Sequence, residues 1–118
     1  MGSRSYRDLV GWQKSVALCK AVYLVCETFP RSEVYGLSSQ MKRAAVSVAS
    51  NIAEGQARQH TGEFRQFLAI ANGSLAELDT QRVITEELDL MEKSRSGELE
   101  VMITEIRKMI YALSAKIS

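Results

Sequence analysis

The sequence has few residues that interrupt helices or build turns. Its 118 residues include one proline, Pro30, and seven glycines, which lie mostly near the ends of helical patterns. A β-sandwich of this length needs more turn residues, because each of its short strands is bounded by a turn. The apolar fraction of 46% and the charged fraction of 25% are those of an ordinary globular protein. We therefore expect one all-α domain over residues 1–118.

Residues that support catalysis or bind metals are equally scarce. His60 is the only histidine, and it lies in a polar connector where a solvated side chain is the default. A metal site that needs two histidines is excluded, and the two cysteines lack the spacing of a metal-binding pair. There is no glycine-rich phosphate loop and no convincing Ser-His-Asp set. We expect no enzymatic activity, no cofactor and no metal.

Long apolar runs are also missing. No segment reaches the roughly 18 uncharged apolar residues of a membrane span, and the N-terminus has no signal-like apolar stretch. Cys19 and Cys26 would lie two helical turns apart, about 10.5 Å along the axis, which is too far for a disulfide. They are expected to be small core residues in a reducing compartment. These features predict a cytoplasmic protein that does not enter membranes.

The chain is rich in helical periodicity. Apolar residues recur every three or four positions in four segments, which predict helices over residues 5–29, 37–57, 61–90 and 95–116. Pro30 ends the first helix and Gly55 is the expected C-terminal glycine of the second. Gly73 would allow close approach to the third helix. Helices of this length with short connectors predict an antiparallel up-down-up-down bundle.

The first helix carries more apolar surface than one side of a small bundle needs. From Val16 to Cys26 the only charged residue is Lys20, whereas a surface helix normally has a polar face opposite its apolar one. The face predicted to point inward contains Leu9, Trp12, Val16, Cys19, Tyr23 and Cys26. Leu18, Val22 and Val25 would then lie outside the core, as residues of a protein contact do. We interpret these three as a homo-oligomer interface, with an oversized core as the alternative.

A polar stripe follows the second helix opposite its apolar face. Asn51 is a poor residue for a helix interior, and Glu54 near the C-terminal end opposes the helix dipole. The third helix offers Ser74 and Glu77 as polar partners. With Ser50, these residues are interpreted as a hydrogen-bonded network between helices or between subunits, and a ligand site is the alternative.

Charge is distributed unevenly although the net charge is only +1. The first 70 residues hold nine Lys/Arg against five Asp/Glu, a net +4, and the rest hold six against nine, a net −3. Lys42, Arg43, Arg58 and Arg65 are candidate phosphate contacts for RNA or DNA, which several copies in a ring could bind together. No aromatic residues are interleaved with them, so base stacking is not expected. A solvated surface is the alternative.

Three segments form recognisable motifs: YGLSSQMKRAA from Tyr35, SNIAEG from Ser50 and GSLAELDTQ from Gly73. Together with the opening YRDL and the pair at Trp12-Gln13, they resemble the four-helix-bundle family of proteins encoded in intervening sequences of 23S ribosomal RNA genes. The resemblance covers nearly the whole chain and implies a ring-shaped homopentamer. The same fold occurs in accessory proteins of diversity-generating retroelements. Those proteins associate with a reverse transcriptase and bind nucleic acid, so the resemblance implies these partners too.

Two positions depart from the family's pattern. Ala49 stands where a proline is usual, which reduces any kink in the second helix. Arg82 stands where an apolar residue is usual and continues the seam of Leu75 and Leu78. It must therefore snorkel, lie at the bundle end or pair with a carboxylate. The near-neutral charge also differs from the strongly basic retroelement proteins.

Together these features predict a cytoplasmic, non-enzymatic homo-oligomer, a pentamer by resemblance, with nucleic-acid binding as a candidate activity. One alternative is a protein-interaction scaffold or accessory subunit that does not bind nucleic acid. Another is a ligand-binding or catalytic bundle that uses Asn51, Glu54 and Glu77.

Overall fold

The computed structural model describes residues 5–117, and these fold into four α-helices with no strand among them. The helices are α1 (Val10–Cys26), α2 (Leu37–Arg58), α3 (Thr61–Glu87) and α4 (Lys93–Lys116), and short 3-10 helices precede α1 (Tyr6–Asp8) and α2 (Arg31–Glu33). Each helix packs on the next, α1 also packs on α4, and the backbones of α1 and α3 do not approach each other. The bundle measures 48 × 23 × 19 Å. The prediction of an all-α fold with four helices is confirmed.

α1 begins later and α3 ends earlier than the sequence predicts. Leu9 has extended backbone and delays the start of α1. α3 ends at Glu87 because Asp89 adopts a left-handed conformation with φ 58°. Leu90 N–H then donates to Thr85 O at 2.9 Å, which satisfies a carbonyl that the end of the helix leaves free.

The core is filled almost entirely by aliphatic side chains from all four helices. The regular repeat of α4 buries Leu99, Ile103, Ile106 and Ile110. The other buried apolar residues of the helices are Leu18, Val22, Val25, Cys26, Met41, Ala44, Ala45, Val48, Ile52, Leu68, Ala71, Leu75 and Leu78. Burying each large aliphatic side chain is worth about 1.5–3 kcal/mol relative to exposure. In the described part of the chain, none of the helices is apolar over a stretch sufficient to cross a bilayer.

The prediction for the inward side of α1 is only partly correct. Leu18 and Val22 are fully buried and Val25 is 4% exposed, so these residues belong to the core of one chain and cannot contact another copy. Val16 and Tyr23, which the pattern assigned to the core, are each 43% exposed. The pattern misled because this part of α1 is apolar on nearly every side. Without polar residues, periodicity does not determine which side faces inward.

Gly55 allows α2 and α3 to pack closely. It is not the C-terminal glycine that the sequence suggested, because it is buried inside α2, which continues to Arg58. A Cβ at Gly55 would lie 2.7 Å from Phe67 Cβ and 3.1 Å from Phe64 Cδ1, so a side chain would displace α3. Gly73 has no such neighbour, since a Cβ there meets nothing within 4 Å. The prediction of a close approach at Gly73 is therefore wrong within one chain.

Arg82 is buried where α3 packs against α4. Its Nε donates to Asp79 Oδ1 at 2.9 Å, and its Nη1 donates to Ser96 Oγ at 2.7 Å. Carboxylate oxygens of Glu86 and Glu100 lie 3.7 and 3.5 Å from the guanidinium. Of the three outcomes that the sequence allowed, pairing with carboxylates is the one observed. The pairing matters because a buried charge without partners is strongly unfavourable.

Alanine at Gly55 tests the close packing of α2 on α3. We expect Gly55→Ala to lower the free energy of unfolding by about 1–3 kcal/mol, because the added methyl group overpacks the contact. Gly62→Ala is the control, since a Cβ at Gly62 meets nothing within 4 Å, and its effect should stay within about 1 kcal/mol. Urea unfolding followed by circular dichroism measures both variants. Equal stability of the two would contradict the close contact.

Candidate interaction surfaces

The structure separates the four candidate phosphate contacts. Lys42 and Arg43 lie in the first half of α2, whereas Arg58 is its last residue and Arg65 lies in the second turn of α3. At 1.5 Å per residue, Lys42 and Arg58 are roughly 24 Å apart along α2. The four side chains therefore do not form one basic patch on a single copy.

The positive charge of Arg58 is balanced by carboxylates of its own chain. It forms ion pairs with Glu54 at 3.0 Å and with Glu63 at 3.3 Å. The hydrogen bond with Glu54 raises the pKa of Arg58 above its ordinary value, and the charge of Glu63 acts in the same direction. The guanidinium carbon also lies 5.2 Å from the centroid of the Phe67 ring. Arg58 is thus charged and exposed, but its charge is largely compensated locally.

Arg65 and Lys42 are also engaged within the chain. Arg65 Nε donates to Ser114 O at 3.3 Å, and its guanidinium contacts Ile117 O, so it satisfies carbonyls at the C-terminal end of α4. Lys42 Nζ lies 4.9 Å from the centroid of the Tyr23 ring. Arg43 is exposed and forms no ion pair within residues 5–117. Arg43 is therefore the candidate whose charge the chain leaves uncompensated.

A short hydrogen-bonded chain joins α2 to α3. The hydroxyls of Ser47 and Ser74 share a hydrogen bond of 2.9 Å, and Asn51 Nδ2 donates to Ser47 Oγ at 2.9 Å and to Ser47 O at 2.8 Å. Asn51 and Ser74 of the predicted network are thus connected, through Ser47. Ser50 and Glu77 are exposed and lie outside this chain of bonds. Glu54, which pairs with Arg58, lies outside it as well. The network fixes the register of two helices.

The outward side of α3 exposes apolar side chains along most of the helix. Ile70, Val83 and Ile84 are 47%, 44% and 41% exposed, and Glu77 is the only exposed charged residue between Ala69 and Ile84. We call this surface the α3 face; its residues are Ala69, Ile70, Gly73, Ala76, Glu77, Thr80, Val83 and Ile84. A helix side that faces water normally carries mostly polar and charged residues. An apolar surface of this kind is typical of a protein contact.

The α3 face was not predicted from the sequence, although a signal for it exists. Ile70, Val83 and Ile84 fall outside the buried repeat of Leu68, Leu75 and Leu78. The alanine, glycine and threonine residues between them hide the signal, because small residues fit buried and exposed positions equally well. Three large apolar residues outside a complete core repeat would have indicated this surface.

α1 exposes a smaller apolar surface. Val16 and Tyr23 are each 43% exposed, and Leu24 is 48% exposed. Ala17 and Lys20 are exposed between them on the same side of the helix; we call these five residues the α1 face. Because α1 and α3 each pack on both α2 and α4 and their backbones do not approach each other, the α1 face and the α3 face point to different sides of the bundle.

Neither thiol of the chain is a ready nucleophile. Burial raises the pKa of Cys19, and burial also raises the pKa of Cys26 despite the opposing effects of its hydrogen bond to Ser38 and the charge of Lys42. A raised pKa lowers the thiolate fraction at neutral pH. His60 is exposed just before α3. Within residues 5–117, no three side chains of metal-binding type converge.

The comparisons with known proteins agree with the fold. The family model described as 23S rRNA-intervening sequence protein matches residues 7–112 of the chain. A crystal structure of a protein with unknown function, from the S23 ribosomal protein family of Bacteroides thetaiotaomicron, is similar with a TM-score of 0.83 and 19% sequence identity. The similarity covers 89% of this chain and 98% of that chain. At this identity it concerns the fold alone. No curated protein matches the chain.

The raised pKa values of the thiols predict slow alkylation. At pH 7 we expect iodoacetamide to modify Cys19 slowly and Cys26 more slowly still, because few thiolates form and Cys26 is 6% exposed. The rate at Cys19 should rise as the pH approaches its raised pKa. Mass spectrometry of timed samples measures both sites, with the urea-unfolded chain as control. Rates in the folded chain equal to those in the unfolded chain would contradict the burial of these thiols.

Proposed function

We propose that this chain, which belongs to the family of 23S rRNA-intervening sequence proteins, is a non-catalytic bundle that assembles with further copies of itself. The α3 face carries the proposal, because it exposes Ile70, Val83 and Ile84 around a single charge. Covering such a surface is favourable by about 25 cal/mol for each Å² of apolar area removed from water. The assembly we propose is a cytoplasmic ring of five copies, the number that the family resemblance implies.

The proposed helix arrangement is up, down, up and down. Pairs of contacting residues support it, because they run in opposite directions along neighbouring helices. The pairs are Ser47 with Ser74 and Gly55 with Phe67 (α2 and α3), Arg82 with Ser96 and Arg65 with Ser114 (α3 and α4), and Gly11 with Met109 and Lys14 with Glu105 (α1 and α4). In this arrangement the α2–α3 connector lies at one end of the bundle and the other two connectors lie at the opposite end.

A non-catalytic role is supported by where the reactive side chains lie. His60 is exposed in a connector, and the raised pKa values of Cys19 and Cys26 keep both thiols protonated at neutral pH. General-base or nucleophilic catalysis needs such groups within hydrogen-bonding distance of one another in a site that holds a substrate.

A carboxylate placed on the α3 face tests self-association. We expect light scattering at micromolar concentration to give the unmodified chain a mass of several times 13.2 kDa, and Ile84→Asp to lower that mass, because an unpaired charge in an interface is unfavourable. Val101→Asp is the matched control, since Val101 is 69% exposed on α4, and this variant should keep the native mass. An unmodified chain with a mass of 13.2 kDa would contradict the proposal.

Binding to the phosphate backbone of RNA or DNA is a second candidate function. The observation that favours it is a difference in charge between the two ends of the proposed arrangement. The end with the α2–α3 connector comprises residues 5–16, 52–68 and 104–117. It holds seven Lys/Arg against four Asp/Glu, a net charge of +3. The rest of the described chain holds seven Lys/Arg against ten Asp/Glu, a net charge of −3. Copies that turn their positive ends to one side would add their charges. Affinity for nucleic acid rises with the number of phosphates neutralised.

Two arginines of α2 test this second candidate, because Arg58 lies at the positive end and Arg43 at the negative end. We expect Arg58→Gln to weaken binding to oligonucleotides of any sequence and to lower its salt dependence, because the substitution removes one positive charge from that end and leaves Glu54 and Glu63 without their partner. Arg43→Gln should change neither. Fluorescence anisotropy over a salt series measures both variants. Absence of binding at low salt, or equal effects of the two variants, would exclude nucleic-acid binding at this end and leave self-association untouched.

A further inference from the structure

We infer that the α3 face of one copy packs against the α1 face of the next copy, with Glu77 beside Lys20 of that copy. This inference rests on the proposed self-association and specifies which surfaces meet. It assigns a role to two charged residues that form no ion pair in the described part of a single chain.

Charge complementarity identifies a second copy as the partner of the α3 face. Glu77 is the only exposed charged residue between Ala69 and Ile84, and Lys20 is the only charged residue between Val16 and Cys26. Neither forms an ion pair within residues 5–117. Each is the only charged residue of its own face, and the two charges are of opposite sign. Desolvating one of them is costly unless an opposite charge arrives with the partner.

The two faces also differ in shape in a complementary way. The middle of the α3 face is shallow, because Gly73 and its neighbours Ala76 and Thr80 have short side chains or none, and a Cβ at Gly73 meets nothing within 4 Å. The α1 face instead offers the larger side chains of Tyr23 and Leu24. Glycine inside an exposed helix is less stable than alanine, so an open Gly73 is unfavourable for an isolated bundle. It becomes useful when another helix approaches closely.

Contact between two identical faces is less favourable than contact between the α3 face and the α1 face. Two α3 faces in contact would bring the two Glu77 side chains into one interface, and two α1 faces would bring together the two Lys20 side chains; like charges in an interface are repulsive. Pairing the α3 face with the α1 face joins two different surfaces of the same chain. Contacts of this type close into rings when the rotation between copies allows it. The inferred interface is therefore compatible with a ring and not with a simple two-fold dimer.

A charge exchange tests the pairing. We expect Lys20→Glu and Glu77→Lys each to weaken self-association by at least ~10-fold, because each places like charges face to face. The double variant Lys20→Glu/Glu77→Lys should recover most of the loss, since it restores an opposite pair in reversed order. Sedimentation over a concentration series measures the association, and circular dichroism checks the helix content. Lys108→Glu, an exposed charge reversal on α4, is the control and should have little effect.

A variant without a charge change tests the close approach. Gly73→Leu should keep the helical fold, because the position is open in one chain, and it should abolish association by filling the shallow part of the α3 face. If the unmodified chain associates but the single charge variants do not weaken it, or the double variant recovers nothing, the inference is overturned while the proposed function stands. If the unmodified chain is a monomer at every concentration, both fail.

Discussion

The close packing of α2 against α3 at Gly55 determines what the bundle presents to its surroundings. With Phe67 and Ser74 turned toward α2, and Leu68 and Leu75 buried in the shared core, the remaining side of α3 is left exposed by residues 5–117. That side carries Ile70, Val83 and Ile84 rather than the charges expected of a solvated helix. α3 therefore has one side in close contact with α2 and an apolar side that the described part of the chain leaves uncovered.

The contrast between polar and apolar residues decided how much the sequence could predict. The regular repeat of α4 runs through its buried residues Leu99, Ile103, Ile106 and Ile110, and pairing with a carboxylate was one of the three outcomes that the sequence allowed for Arg82. The prediction of the buried side of α1 was only partly correct because the middle of this helix is apolar on all sides. Val16 and Tyr23 therefore fitted the pattern of a buried side as well as Leu18, Val22 and Val25 did. Helix ends such as Asp89 depend on backbone conformations that no periodicity reveals.

The candidate phosphate contacts were also only partly predictable from the sequence, for a different reason. Lys42, Arg58 and Arg65 are basic in the sequence, yet each already contacts an aromatic ring, a carboxylate or a helix end of its own chain. Such local compensation depends on the fold and is invisible to a charge count. The difference in net charge between the two ends of the proposed bundle arrangement does not depend on these residues alone. In a ring that joins the α3 face to the α1 face, cyclic symmetry would turn every positive end to the same side, which links self-association to nucleic-acid binding.

The most direct measurement is the reactivity of the α3 face toward hydroxyl radicals in the unmodified protein. Val83 and Val101 have the same side chain and are 44% and 69% exposed in one chain, so their chemistry is matched and only their surroundings differ. If copies cover the α3 face, Val83 together with Ile70 and Ile84 should be strongly protected at micromolar concentration and become reactive on dilution, while Val101 stays reactive throughout. Oxidation of Val83 in proportion to its exposure in one chain, at every concentration, would contradict the account.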